Sequence, residues 1–241
     1  MTVTRLRADF DQREVVPPPE PGDWQPSPLP GVERHLLDRI GGEVARATSM
    51  VRYAPGSRFD RHTHGGGEEF LVLDGVFSDE HGDHPAGTYL RNPPGTSHAP
   101  FSEPGCTLFV KLWQFAPGDT APVRVDTRAC QWRQGLVPGL TVLPLHEHDG
   151  VSTALVRWAP HTVFTPHTHP GGEEILVLDG VFRDELGEYP AGAWLRSPRY
   201  SRHTPCTGAE GALIYVKVGH LGAPQLPLPG AAASGSPKQA R

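Results

Sequence analysis

The sequence has few cysteines, no sustained helical periodicity and no long apolar run. Each of these shortages argues against a class of protein or a kind of site. The 241 residues contain three cysteines, Cys106, Cys130 and Cys206, and no C-x-x-C pair. This pattern favours small buried thiols in a reducing compartment over zinc or redox roles. No stretch keeps apolar residues at helical spacing over several turns, so we do not expect long helices.

Charge and hydropathy also argue against two kinds of partner. The formal net charge is −5 and no basic cluster stands out, so nucleic acid is not an expected partner. The N-terminal stretch MTVTRLRADFDQREVV lacks an apolar core segment, and no later stretch is long and apolar enough to span a membrane. We therefore expect no signal peptide, no membrane association and a cytoplasmic location.

Glycine and proline, in contrast, are abundant, with 28 and 27 residues. They fall mostly between short apolar segments, which is typical of an all-β protein with many turns. The segments FLVLDGVF and ILVLDGVF are largely apolar, as expected for strands buried in a closed or double sheet. Many short strands separated by turn signals predict a sandwich or a small barrel.

The chain contains an internal repeat at an offset of 105 residues. Residues 52–77, RYAPGSRFDRHTHGGGEEFLVLDGVF, match residues 157–182, RWAPHTVFTPHTHPGGEEILVLDGVF, without a gap. A second pair, GTYLRNPPGTSH ending at His98 and GAWLRSPRYSRH ending at His203, has the same offset. The repeat predicts two similar domains. The predicted organisation is a flexible arm, a first domain, a linker, a second domain and a disordered tail, at residues 1–23, 24–116, 117–128, 129–221 and 222–241.

Each copy carries three histidines and one glutamate at a spacing that suits a single metal ion. They are His62, His64, Glu68 and His98 in the first copy, and His167, His169, Glu173 and His203 in the second. Alternate residues of a strand point to the same side, so the two histidines of each H-x-H can bind one ion. The glycines before Glu68 let the chain bend back, so that this carboxylate can reach the ion. Strand parity then places Glu69 on the opposite face.

These residues match the two motifs of the cupin superfamily, HxHx(3–4)Ex6G and Gx5PxGx2H. The first copy fits both motifs, and the second departs only at Tyr200, which stands where the pattern has glycine. The surrounding segments VRYAPG, GGEEFLVLDGVFSDE and PAGTYLRNPPGTSH resemble ChrR-type cupin domains. Those domains occur in certain zinc-binding anti-sigma factors and as stand-alone proteins. The resemblance covers roughly residues 24–221 and implies two tandem cupin barrels, of the double-stranded β-helix or jelly-roll type, related by a pseudo-twofold axis.

One departure from the anti-sigma factors limits what the resemblance implies. Their N-terminal helical domain carries an HxxxCxxC zinc motif, but here no cysteine precedes Cys106. The resemblance therefore implies the cupin module without the regulatory function.

The ligand set indicates a divalent transition metal in each domain. Three imidazoles and one carboxylate leave two positions open on an octahedral ion, where substrate can bind. Spacing does not distinguish Fe, Zn, Mn, Ni and Cu. Our leading hypothesis is a small-molecule metalloenzyme, a non-haem dioxygenase that cleaves an enolisable or phenolic carbonyl compound. The alternatives are a non-catalytic metal- or ligand-binding sensor, and a cupin isomerase, decarboxylase or lyase. A structural role for one metal, or one empty site, also remains open, and a homodimer is a candidate assembly.

Some residues near the second site are candidates for chemistry. Tyr200 can act as an acid, a base or a weak ligand. Arg199 and Arg202 can bind an anionic group or face solvent. We predict that the first site is the catalytic one, because Gly95 and residues 65–67 give it small, mobile walls.

The remaining charged residues and histidines are expected to be structural or on the surface. The repeat-equivalent cations should face outward or pair with carboxylates such as Asp74 and Asp179; these cations are Arg52, Arg157, Arg91, Arg196, Lys111 and Lys217. The histidines in predicted turns, His81, His84, His146 and His148, are expected on the surface.

Overall fold

Strands make up nearly all the regular structure in the computed structural model, which describes residues 4–223 and 226–228. Within those residues there is one 3₁₀ turn, Pro21–Asp23, and no α-helix. The all-β prediction is confirmed. The tail predicted at residues 222–241 lies mostly outside the described residues.

The strands up to the end of the first domain follow one another closely. They are β1 (Thr4–Leu6), β2 (Glu14–Val16), β3 (Gln25–Pro26), β4 (Val32–Gly41), β5 (Ala45–Tyr53), β6 (Ser57–Arg58), β7 (His62–Thr63), β8 (Glu68–Asp79), β9 (Gly82–Pro85), β10 (Thr88–Asn92), β11 (Ser97–His98), β12 (Phe101–Ser102), β13 (Cys106–Leu112) and β14 (Val123–Asp126).

The second domain repeats this series. Its strands are β15 (Arg133–Gln134), β16 (Leu140–His148), β17 (Val151–Trp158), β18 (His167–His169), β19 (Glu173–Asp184), β20 (Gly187–Pro190), β21 (Trp194–Ser197), β22 (Ser201–His203) and β23 (Cys206–Val218). Equivalent hairpins open the two barrels, since β4 and β5 flank Gly42 and β16 and β17 flank Asp149 and Gly150.

Sheet topology repeats with the sequence. The main sheet of the first barrel has the order β1-β4-β5-β13-β8-β10-β14, and that of the second has the order β15-β16-β17-β23-β19-β21-β2. Each barrel also has a two-stranded sheet, β7 with β11 in the first and β18 with β22 in the second. Two tandem barrels of the same topology are therefore present, as predicted from the repeat.

The segment before each barrel pairs with the other barrel. Strand β2, ahead of the first barrel, pairs with β21 of the second, and β14, ahead of the second barrel, pairs with β10 of the first. Strand β1 adds to β4 of the first barrel. Residues 4–16, within the arm predicted to be flexible, are thus paired to both barrels, because the open edges of β4 and β21 offer unpaired backbone groups. The linker predicted at residues 117–128 contains β14 and is paired in the same way.

An apolar core lies between the two barrels. One cluster of buried residues includes Leu71 and Phe109 of the first barrel with Leu176 and Tyr215 of the second. The Phe109 and Tyr215 rings meet edge to face with centroids 5.1 Å apart. Burying each such side chain contributes roughly 1.5–3 kcal/mol. The interface between the barrels is therefore part of the folded core.

Reciprocal ion pairs cross this interface. Lys111 Nζ of the first barrel lies 2.5 Å from Glu174 of the second, and Lys217 Nζ of the second lies 2.5 Å from Glu69 of the first. All four side chains are almost fully buried. Glu69 lies on the face opposite to Glu68, as strand parity predicted, and the structure shows that this face meets the other barrel.

Four of the six repeat-equivalent cations are buried and pair with carboxylates, so of the two expectations, facing outward or pairing, the second holds for them. Lys111 and Lys217 pair across the interface, and Arg91 and Arg196 are also fully buried. Arg91 binds Asp119 at 2.7 Å and Arg196 binds Asp38 at 3.1 Å. The partners suggested from sequence were wrong, because Asp74 and Asp179 are exposed. The four cations lie on β10, β13, β21 and β23, on the face of each barrel that packs against the other.

Candidate metal centres

The four predicted ligands of the first copy converge inside the first barrel. Strand pairing sets His62 directly opposite His98. His64 Nε2 lies 3.3 Å from His62 Nε2 and 3.2 Å from His98 Nε2. The chain turns at Gly67, which has a φ of 78°, and Glu68 then begins β8. Its Oε2 lies 3.4 Å from His64 Nε2 and 3.6 Å from His98 Nε2.

These distances fit a shared metal ion. An ion that binds two imidazole nitrogens at about 2.1 Å, with about 100° between them, holds the nitrogens about 3.2 Å apart. The other ring nitrogen of each histidine has an acceptor, which directs Nε2 inward. The partners of the three Nδ1 atoms, in chain order, are the Asp60 carbonyl oxygen at 3.2 Å, the Thr96 hydroxyl at 3.2 Å and the Asp79 carboxylate at 3.4 Å.

The second copy has the same arrangement. His167 lies opposite His203, and His169 Nε2 lies 3.0 Å from His203 Nε2. Glu173 has one oxygen 3.5 Å from His169 and the other 3.6 Å from His203. Within each group of three histidines, the potential ligand atoms all lie within 4.8 Å of one another. The structure therefore brings together both predicted ligand sets.

At His64, His167 and His169 the environment favours the neutral imidazole, which is the form that binds a metal. At His203 burial acts in the same direction, but Asp184 and Glu173 outweigh it and raise the pKa. Burial lowers the pKa of His64 although the Glu68 carboxylate acts in the opposite direction. Burial and then the charges of His203 and His167 lower the pKa of His169 to about 3. Burial also raises the pKa of Glu173 to about 7, so without a cation this carboxyl is easily protonated.

A buried aspartate supports the third histidine in each barrel. Neither aspartate was among the residues predicted from sequence. Asp79 contacts His98, and Asp184 lies 3.8 Å from His203 Nδ1. Asp79 also bonds with His84, which is buried and not on the surface as predicted. The signal in the sequence was the D-E pair that follows each VLDGVF segment at the same offset.

The support of Asp184 differs from that of Asp79. Where the first copy has His84, the second has Tyr189, whose hydroxyl donates to Asp184 at 2.7 Å. Arg13 of the N-terminal segment also binds Asp184, at 3.2 Å. Burial opposes ionisation of Asp184, but the hydrogen bonds from His203 and Tyr189 lower its pKa to about 2. The second centre is therefore held in part by a residue from outside its own barrel.

The first centre opens into a cavity of about 460 Å³. Apart from the predicted ligands, its wall is mainly aromatic and aliphatic, with contributions from Tyr53, Phe59, Leu108, Val110 and Trp113. This volume lies within the range of about 300–1,000 Å³ that is usual for small-molecule sites. The first barrel thus joins a candidate metal centre to a space for a ligand.

Two aromatic residues distinguish this cavity from the second barrel. Trp113 has a φ of 57°, a region that costs energy for a non-glycine residue. A Cβ at Gly66 would overlap its indole ring, so the indole of Trp113 packs directly on the backbone of the glycine run. The prediction of small, mobile walls was wrong in this respect. The equivalent of Trp113 in the second barrel is Gly219.

Tyr53 is the second distinguishing residue. It lines the cavity with the ligand set, whereas its equivalent in the second copy is the buried Trp158. Burial, together with the charges of Glu68 and Cys106, raises the pKa of Tyr53 well above 10. The phenol therefore keeps its proton at neutral pH and can donate a hydrogen bond. Neither Tyr53 nor Trp113 stands out in the sequence, because neither belongs to the ligand motifs.

The candidate residues of the second site lie nearer to solvent. The Tyr200 backbone N–H donates to the His169 carbonyl at 2.7 Å, and the side chain is 73% exposed. Its φ is 63°, at the position where the first copy has Gly95 with a φ of 86°. Arg199 lies 3.6 Å from Asp11, and Arg202 is exposed. Roles for these three side chains in catalysis or binding stay predictions.

Fold and site together define a two-domain β-barrel protein of the cupin type, with a histidine cluster in each barrel. The sequence model of the ChrR cupin-like domain matches the chain twice, at residues 12–116 and 120–222. The chain belongs to this family. Comparison with curated protein sequences finds no significant match. In the described residues there is no helix long and apolar enough to cross a membrane.

Solved structures agree on the fold at low sequence identity. A protein of Nostoc punctiforme named as a candidate dioxygenase aligns with a TM-score of 0.67 and 14% identity, over 91% of this chain and 84% of its own. A protein of Pseudomonas aeruginosa named as glyoxylate-induced aligns with a TM-score of 0.66 and 16% identity, over 85% and 87%. The oxalate decarboxylase of Lactobacillus farciminis aligns with a TM-score of 0.58 and 13% identity, over 84% and 85%.

Proposed function

We propose that the chain is a metal-dependent enzyme of the non-haem dioxygenase type, whose first barrel binds a small enolisable or phenolic carbonyl compound. The observation that carries this proposal is the cavity of about 460 Å³ at the first histidine cluster. In it, a phenol that keeps its proton and a large aromatic wall lie beside the predicted ligands. A small apolar molecule with one polar end matches this lining.

The residues present suit a divalent transition metal in each barrel. In the first barrel His62, His64, Glu68 and His98 would hold it, and in the second their equivalents, His167, His169, Glu173 and His203. A bound ion would supply a Lewis acid and, if it is redox-active, a centre for oxidation chemistry. The metal is one of Fe, Zn, Mn, Ni or Cu, and the ligand set does not select among them.

The residues around the centre would act on the substrate in separate ways. Tyr53 would hold a proton at its hydroxyl oxygen and donate a hydrogen bond to a substrate oxygen that gains charge. Trp113 and Phe59 would pack against the apolar body of the substrate and exclude water. The Asp79 carboxylate would keep the ring of His98 in place through Nδ1.

A sensor without catalysis is the second candidate, and the match to the ChrR cupin-like domain favours it. In that case the first cavity would bind a ligand and leave it unchanged. A cupin decarboxylase, lyase or isomerase is a further alternative, because the oxalate decarboxylase of Lactobacillus farciminis shares the fold.

Metal analysis followed by turnover assays tests the proposal. The protein is purified without oxygen, its metal content is measured, and samples loaded with each of the five metals are mixed with a panel of β-diketones and catechols. We expect O₂ consumption with at least one pairing and a large drop in rate for Tyr53→Phe. Binding of panel compounds without any turnover, across all five metals, would contradict the enzyme proposal and support the sensor.

A further inference from the structure

A second cavity lies between the barrels, away from both histidine clusters. Its volume is about 560 Å³. Repeat-equivalent residues face it from the two sides, with Leu71 and Leu73 from the first barrel and Leu176 and Leu178 from the second. Among the described residues, its wall includes none of the predicted metal ligands. The cavity therefore lies on the pseudo-twofold axis and is independent of the proposed catalytic site.

The wall of this cavity is mainly apolar. Met50 and Leu155, which are also repeat equivalents, are buried in it, and Leu213 is half-buried. Gly87 and Gly192 line it from equivalent turns, with φ values of 87° and 90° that suit glycine. The result is a pocket suited to an aliphatic group.

The cavity is not symmetric in charge, because Arg157 lines it whereas its repeat equivalent, Arg52, lines a separate pocket. In the first barrel Arg52 lies opposite Glu33 across the strand pair and binds it at 2.6 Å. In the second barrel the equivalent Arg157 lies opposite Thr141, which carries no charge. Within the described part of the chain, no carboxylate lies within 4.0 Å of Arg157, and its guanidinium stacks on Trp132 at 4.4 Å from the ring centroid.

The other charges near the rim do not replace that missing partner. Arg128 also lines the cavity, but Asp126 binds it at 3.0 Å. Asp179 and Glu210 line the adjoining cleft with Arg157, but neither lies within 4.0 Å of its guanidinium, and Glu210 binds Arg183 at 3.1 Å. Arg157 is therefore the cation at this rim that remains available to an anion.

We propose that the cavity between the barrels binds an aliphatic monocarboxylate, with its hydrocarbon chain among the leucines and its carboxylate on Arg157. The apolar wall selects the chain, and the arginine selects the acid over the corresponding alcohol. Trp132 lies beside the anchoring guanidinium and reports on binding through its fluorescence.

Decanoate is a suitable probe, and the chain supplies its own control. The metal-loaded protein is titrated with decanoate below its micelle concentration, with calorimetry and tryptophan fluorescence as readouts. We expect about tenfold weaker binding in Arg157→Gln, because a charge-assisted hydrogen bond is lost. Arg52→Gln, at the equivalent position, should bind as the wild type does. Leu178→Phe fills the pocket and should abolish binding while its thermal unfolding stays cooperative.

Other outcomes would overturn the proposal. No binding by the wild type, equal losses in Arg157→Gln and Arg52→Gln, or equal affinity for decanol and decanoate would each contradict the assigned pocket. Decanoate binding that disappears when the metal is removed would place the acid at a metal centre instead.

Discussion

At the scale of single residues, the two barrels keep the same candidate ligands and differ in what surrounds them. Tyr53 and Trp113 of the first barrel become Trp158 and Gly219 in the second. Trp113 accepts an unfavourable φ and lies on a glycine run that can carry no larger side chain. Such strain persists where the surrounding structure holds it in place, often at functional sites.

The packing of Trp113 on the glycine run predicts how a substitution there changes the free energy of unfolding. Gly66→Ala places a methyl group where the indole ring lies, so it should cost about 1–3 kcal/mol through overpacking. Urea unfolding measures this cost. Gly42→Ala is the matched control, because a Cβ there meets no atom within 4 Å. Equal stability of the two variants would contradict the packing of Trp113 described here.

The sequence predicted which residues converge far better than it predicted their surroundings. The H-x-H spacing and the second motif depend on local strand geometry, so all eight residues that the structure brings together could be named as candidate ligands. Tyr53 ends β5 and Trp113 follows β13, and neither belongs to the two ligand motifs, so the sequence did not show that their side chains line the site. Asp79 and Asp184 could have been found, since the repeat preserves both.

At the scale of elements, the N-terminal segment supports the second barrel. Strand β2 pairs with β21, and Arg13 just before it binds Asp184, which lies beside His203. Local composition suggested a flexible arm, because proline and polar residues dominate it. The pairing is non-local and depends on an open edge that no sequence window reveals.

The contact of Arg13 predicts an effect confined to one centre. Arg13→Met should weaken metal binding at the second centre about tenfold, as is usual when the support of a metal-binding histidine is lost. The first centre should keep its affinity. Metal titration followed by calorimetry resolves the two sites. Arg61→Met is the control, because it removes an exposed arginine near the first centre. Equal effects of Arg13→Met at both centres would contradict the assignment.

At the scale of the whole molecule, the two barrels share a core that contains charge. Each barrel supplies a lysine to a glutamate of the other, and all four groups are buried. The lysine charge of Lys217, followed by that of Arg91, outweighs the burial of Glu69 and holds its pKa well below 4.5. The repeat showed that these residues are equivalent in the two copies. Whether their side chains face solvent depends on how the barrels pack, which the sequence does not show.

Removing one partner of such an ion pair should lower the free energy of unfolding more than replacing both partners with uncharged residues. Glu69→Gln leaves the Lys217 charge buried without its partner, for a loss of about 3–5 kcal/mol. The double variant Glu69→Gln with Lys217→Met should lose less. Because Glu69 binds a proton more tightly when unfolded, the wild type should also lose stability as the pH falls below about 4.5, and the double variant should lose less. Urea unfolding of both single variants and the double variant between pH 2.5 and 7 checks both, and additive effects of Glu69→Gln and Lys217→Met would contradict the pairing.

Assembly beyond the single chain is a further prediction. We expect a homodimer, twice the 26.1 kDa of the chain, because sheet edges that remain open favour association. Sedimentation equilibrium measures the mass directly. A monomer at all concentrations would show that the pairing of the two barrels within one chain suffices.

The central claim is that the first barrel carries the chemistry, and one comparison tests it most directly. His98→Ala and His203→Ala remove equivalent ligands from the two centres, and each should lose one metal ion per chain. With a substrate that the wild type turns over, the account predicts that O₂ consumption disappears in His98→Ala and persists in His203→Ala. Loss of activity in His203→Ala with activity kept in His98→Ala would contradict it.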